Sequence, residues 1–312
     1  MSGTLEYPKV NFSNNSEVDL AFLLYSIPSD SIIHQFTGAL PAQAEDLAEM
    51  YVEFAKKNSL YSPRYGLPKF HFLCTSLIDS PGSIFPDVIR RYEKLVKPFR
   101  RIIKRLQNYH PVDNQLNKIE KFHEFWENKC SILEKVQKIA RIKFRLSEYS
   151  VLIILSLSGR FGMPCMVHDK YIFLNAQQDD EEFIAEAVFH ELLHQLLLGY
   201  RYLTEGKFFK GFLWQPRRAM IEEIALACLE MEICEDPKEK EMKRERVLHL
   251  DEHLRFLKPF KTLFPRILHE WENYTSTKTL NLQQFIDHCT RKYLNPLRFI
   301  LLMRKVKPQD IR

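Results

Sequence analysis

The spacing of apolar residues along this chain follows a helical period in its first half and changes near the middle. Residues 1–40 read as irregular, because Pro8, Asn14, Asn15 and Pro28 punctuate short apolar pieces and Pro41 closes the stretch. A helical pattern runs from Gln43 to Lys57; Pro63, Pro68 and Pro81 then break the chain, with an apolar "FHFLCTSLI" between the last two. From Pro86 to about Gln107 the apolar positions fit a helix, with a kink expected at Pro98. The longest helical signal spans Gln115 to about Lys143. Its seam of Ile119, Phe122, Trp126, Cys130, Leu133, Val136 and Ala140 steps by threes and fours, the stripe a helix buries. Two long helices joined by "NYHPVDN" predict a helical hairpin.

Around Ser147 the texture changes. "YSVLIILSLSG" is short, rich in β-branched residues and closed by glycine, which predicts a buried strand. "VHDKYIFLN" predicts a second strand, alternating through Tyr171, Phe173 and Asn175. "AQQDDEEF" then supplies an acidic first turn, favoured by the helix dipole, for a helix from about Asp180 to Leu198 with Gly199 as its C-terminal cap. A loop to Pro216 leads into a further helix, Arg217 to about Cys234, stopped by Asp236 and Pro237. Charged and aromatic helices fill the remainder. The expected fold is therefore mainly α (α+β): a helical region over residues 1–146, then a core over residues 147–312 with a small β-sheet and C-terminal helices.

Composition supports this reading. Only nine glycines occur in 312 residues, few for a fold rich in strands and tight turns, and 45% hydrophobic with 27% charged residues is a globular profile. No apolar run approaches the roughly 20 residues a membrane-spanning helix needs, and "MSGTLEYPKVNFSNNSEVDL" has no basic and apolar leader pattern. The six cysteines are scattered without a CxxC pair and read as reduced, mostly buried thiols, so a cytoplasmic location and no membrane partner are expected.

Charge is uneven. Residues 85–145 hold sixteen Lys/Arg against seven Asp/Glu, although the whole chain carries only +5. Arg90, Lys94, Lys97, Arg101 and Lys104 step by fours and threes along one helix face. An acidic partner would suit that stripe, but a solvated face is the plainer reading; no nucleic-acid-binding motif accompanies it.

The chemistry concentrates in "AVFHELLHQLLLG", residues 187–199, where His190, Glu191 and His194 interrupt an apolar helix. Residues four apart on a helix share a face about 5–6 Å apart, so both imidazoles can reach one ion. Glu191, next to His190, stands beside that ion without ligating it, placed to take a proton from a polarised water and return it to a leaving amine. Leu192, Leu193, Val188 and Leu196 make the setting apolar. Two histidines and a carboxylate buried there are costly without a partner, and a cation is the simplest one.

With these residues the stretch from about 150 to 234 resembles the H-E-x-x-H zinc metallopeptidases, the zincins. The resemblance implies Zn2+ held by His190 and His194, Glu191 as general base, and a peptide or protein substrate. In zincins a sheet-edge strand before the active-site helix binds extended substrate, and "KYIFLNA" occupies that place. The metzincin subgroup continues H-E-x-x-H-x-x-G-x-x-H; Leu197 and Tyr200 exclude it. The gluzincin subgroup takes its third ligand from a glutamate on a following helix, often within E-x-x-A. Glu222 begins such a motif, ending at Ala225, and shares its helix row with Leu226, Leu229 and Ile233. Both features favour Glu222 as third ligand, with Glu223, on a row with Ala227 and Glu230, as its rival. Thermolysin-like enzymes carry an aspartate four residues after that ligand, where this chain has Leu226, so close kinship with them is not expected.

Competing signals are weaker. "HLDEH", His249 to His253, matches the inverted H-x-x-E-H signature, but "KRERVLHLDEHLRF" suits an exposed helix, and only 59 residues follow His253. Tyr200, Tyr202 and His269 are open candidates for steadying an oxyanion. Cys165 and His168 lie close in sequence, which fits a buried thiol near a turn better than a nucleophile and its base. No phosphate-binding or serine-hydrolase motif occurs. The expected activity is zinc-dependent peptide hydrolysis; the alternative is a catalytically silent zinc-binding module for protein interaction.

Overall fold

The structure, a computed structural model, describes residues 8–18, 21, 50, 53–54, 57, 77–78, 86–97, 120–121, 132–154, 165–168, 170–175, 181–197, 208–253 and 258–295. Its elements in chain order are β1 (Lys9–Ser13), α1 (Pro86–Val96), β2 (Glu148–Ile154), β3 (Cys165–His168), β4 (Tyr171–Asn175), α2 (Glu181–Gln195), α3 (Phe208–Ile233), α4 (Pro237–His253), α5 (Lys258–Thr277) and α6 (Leu282–Tyr293). Most described residues are helical and one small sheet accompanies them, as the apolar periods predict.

The chain divides into two compact units, one from residues 9–128 and 148–192, the other from residues 1–8, 129–147 and 193–312. Each takes chain from both sides of residue 147. Strand β1 explains part of this. It pairs in parallel with β2, Lys9 opposite Glu148 and Ser13 opposite Leu152, although "KVNFS" lies in the stretch expected to be irregular. Five residues with one buried side chain, Val10, carry little local signal; pairing across some 135 residues makes the strand. Asn11 donates to the Glu148 carboxylate and Asn14 Nδ2 to the Ile153 carbonyl at 2.8 Å.

The sheet order is β1-β2-β4-β3. β2 is buried from Val151 to Ile154, as a strand enclosed by parallel neighbours should be. The single strand expected over "VHDKYIFLN" is two: β3 and β4 pair antiparallel, with His168 opposite Tyr171. The edge strand expected at "KYIFLNA" is consequently an interior one. β4 hydrogen-bonds to β2 on one side and to β3 on the other, so no backbone edge is left on β4 for an extended peptide.

In this unit α1 buries Tyr92 and Val96, one turn apart, and Tyr92 meets Phe54 with ring centroids 6.4 Å apart. Arg90, Lys94 and Lys97 are exposed, as a solvated basic face requires; Arg101 and Lys104 lie outside the described residues, as do most of the expected helical hairpin and the Pro98 kink.

The other unit is built around α3, which packs on α4, α5 and α6. Its helix starts at Phe208 and runs through Pro216, earlier than the expected start at Arg217. Proline removes one backbone donor and disfavours this course without forbidding it. After Ile233 the chain turns, and Pro237 opens α4, with the Asp236 carboxylate accepting from the Lys238 amide at 2.9 Å. Trp271 and Tyr274 of α5 close on Phe285 of α6 at centroid distances of 5.4 and 4.9 Å. Tyr274 also donates its hydroxyl to the carbonyls of Ile139 and Ala140 at 2.8 and 3.2 Å. This fastens the helical residues 132–140 to α5. Arg141, with φ at 55°, ends that helix and donates to the carbonyls of Tyr274 and Leu280. α6 starts in a capping box in which Asn281 and Gln284 each accept the other's backbone N–H.

Candidate metal centre

Helix α2 carries His190, Glu191 and His194 on its last turns. The division between the two units falls inside this helix after Leu192, and the unbroken helix fixes the histidines one turn apart. Its buried face is Ala185, Val188, Leu192 and Leu193, continued by Leu196 and Leu197 in the turn that follows. His194 is 4% exposed, whereas His190 and Glu191 are half-buried. Gly199, expected to cap the helix, lies outside the described residues.

Helix α3 supplies the acids. The row Glu222, Leu226, Leu229 and Ile233 is buried, as its apolar spacing predicts, and Glu222 is fully so. Glu222 Oε1 lies 2.8 Å from Nδ1 of His194, and its Oε2 accepts from the Arg218 guanidinium at 2.6 Å. Both oxygens thus have partners, and Glu222 stands behind the imidazole.

The next residue faces the other way. Oε1 of Glu223 is 3.4 Å from Nε2 of His194. One donor atom each from His190, His194 and Glu223 lies within 4.8 Å of the other two, a group that can hold a metal ion. The structure therefore brings both expected histidines together with the rival glutamate, and Glu222 is not in the group. The 3.4 Å separation is informative in itself. Zinc–nitrogen bonds of about 2.0–2.1 Å and zinc–oxygen bonds of about 2.0–2.2 Å, opened to a tetrahedral angle, put the two donor atoms roughly 3.3–3.5 Å apart.

Tautomer chemistry fits the same geometry. A carboxylate that accepts from Arg218 on one oxygen accepts from His194 Nδ1–H on the other, which makes Nε2, on the side of Glu223, the nitrogen that an ion would take. Arg218 in turn donates through Nε to Asp287 Oδ1 of α6 at 3.3 Å. Arg218 was legible as a candidate, because it stands four residues before Glu222 on one helix face. Asp287 is 69 residues from Arg218, with no local pattern to link them.

Among the described residues, His269 does not join this group. His269 is exposed on α5, 3.5 Å from the Glu272 carboxylate. The His249–His253 motif lies on α4, with its side chains outside what is described, and Tyr200 and Tyr202 lie outside the described residues. Cys228 and Cys289 are free and buried, and Cys234 is half-buried. Burial pushes all three thiols up, Cys289 to about 12 and Cys228 further, so neither buried thiol supplies a thiolate near neutral pH. Among the described residues, no helix is long and apolar enough to cross a membrane.

No protein-family model, curated protein or solved structure matches the chain.

Proposed function

We propose that the chain is a zinc-dependent peptidase with a zincin-like core. Zinc would be held by His190 and His194 of α2 and Glu223 of α3. The observation that carries this reading is the convergence of those three donor groups, with the Nδ1 side of His194 already engaged by Glu222. An imidazole held in that way offers its other nitrogen outward, which is how histidine ligands are set in metal sites. Glu223, half-exposed at the site, supplies a carboxylate oxygen, and its partial exposure keeps the site open to substrate.

Zinc in such a site polarises a water and a peptide carbonyl. Glu191 adjoins His190 on the same helix and is half-buried. Its carboxylate takes the proton from the attacking water and delivers it to the leaving amine. Free cysteines in the core fit a reducing compartment, so we assign the protein to the cytoplasm.

Glu191→Gln tests the chemistry. The substitution keeps the side chain's size and removes its basicity. Measured by mass spectrometry on a mixed peptide library, it should abolish cleavage while zinc content stays unchanged. Cleavage at the wild-type rate would refute the assigned base. Wild-type protein that binds zinc and cleaves nothing in the library would support the silent binding module instead.

A further inference from the structure

We infer that Glu222, Arg218 and Asp287 form a buried positioning relay that sets the His194 ring for metal and ties it to α6; this rests on the metal reading above. The relay lies within one compact unit. It runs from Asp287 Oδ1 to Arg218 Nε at 3.3 Å, from Arg218 Nη1 to Glu222 Oε2 at 2.6 Å, and from Glu222 Oε1 to His194 Nδ1 at 2.8 Å. Water has almost no access. Side-chain exposures are 12% for Asp287, 2% for Arg218, 0% for Glu222 and 5% for His194.

The direction of each bond follows from what each group can do. Arginine only donates, so the oxygen of Glu222 beside it must accept. The other oxygen of the same carboxylate then accepts the Nδ1–H of His194, and the ring proton is held on Nδ1. Nε2 faces Glu223 at 3.4 Å and is the nitrogen that would turn to the ion. Asp287 holds the guanidinium from the far side, so that its fork meets Glu222 in one orientation. The three are positioning residues: none joins the donor group itself.

Glu222→Gln tests this, because the amide has one acceptor and one donor end. Arg218 can donate only to the oxygen end, which turns the NH2 towards His194 Nδ1. The ring must then accept at Nδ1 and carry its proton on Nε2, where an ion would bind. The full-length variant should bind zinc about 10–100-fold more weakly than wild type in chelator competition. Adding Arg218→Met frees the amide to rotate its oxygen to Nδ1–H, so the double variant should bind zinc more tightly than Glu222→Gln alone. Nitrogen-15 NMR of metal-free wild type gives a readout independent of any variant's folding, and His194 should carry a proton on Nδ1. Wild-type zinc affinity in Glu222→Gln, or an Nδ1 without a proton in wild type, would overturn the relay. Wild-type protein that takes up no zinc would instead refute the metal reading, while the NMR experiment still reports on the His194–Glu222 bond.

Discussion

Replacing Arg218 by methionine should be among the most destabilising single changes in the helical unit. Methionine fills much of the same space, so the loss is chiefly electrostatic. Arg218 is 2% exposed and lies between two carboxylates, Glu222 at 0% and Asp287 at 12% side-chain exposure. Removing one partner of a buried pair costs about 3–5 kcal/mol, because the remaining charge has neither water nor a counter-charge. The same change at a surface pair costs about 0–1 kcal/mol. The near-zero exposures decide for the larger figure. Urea unfolding followed by far-UV circular dichroism should therefore show a loss of about 3–5 kcal/mol. Adding Glu222→Gln to Arg218→Met should recover part of it, since one stranded carboxylate is removed. A loss below about 1 kcal/mol, or no recovery in the double variant, would mean that water reaches the pair and would refute the buried-charge argument.

Two further outcomes follow from the packing of the same unit. Tyr274→Phe deletes the hydroxyl shared by the carbonyls of Ile139 and Ala140 and should cost about 1–3 kcal/mol in thermal or urea unfolding; an unchanged midpoint would show that those carbonyls find other donors. Glu270 accepts from Lys292 Nζ and from the Tyr293 hydroxyl, both at 2.7 Å, and these bonds hold its carboxyl below the ordinary value of 4.5. A lowered folded-state value adds stability that is complete above about pH 4.5 and fades as pH falls through the folded value. The stability difference between wild type and Glu270→Gln should thus narrow as pH falls below about 4.5, and a difference that grows on acidification would contradict the assignment.

What the sequence made legible was local. The apolar rows of α2 and α3 announced their buried faces, and the four-residue step put His190 and His194 on one side of a helix. Glu222 was legible as a buried acid. Its partners were not, because a carboxylate on an apolar row needs a cationic partner, and the row alone does not tell a metal from a guanidinium. Arg218, one turn earlier, was that signal. Glu223 looked like an ordinary surface acid because half of its side chain is exposed, which is also what an open site requires. The features missed outright depend on distant pairing: β1 exists through β2, β4 becomes interior through β3, and Asp287 reaches Arg218 from another helix.

His190, His194 and Glu223 are proposed to hold one zinc ion. Elemental analysis of the full-length protein, purified without added metal, tests this most directly, with Glu223→Gln and His190→Ala measured alongside. Wild type should hold about one zinc per chain, since two imidazoles and a carboxylate make up the three-ligand set of a catalytic zinc site. Both variants should fall well below that while keeping the wild-type circular dichroism spectrum. Well under one zinc in wild type with no uptake on titration, or full zinc retained in Glu223→Gln, would contradict this assignment.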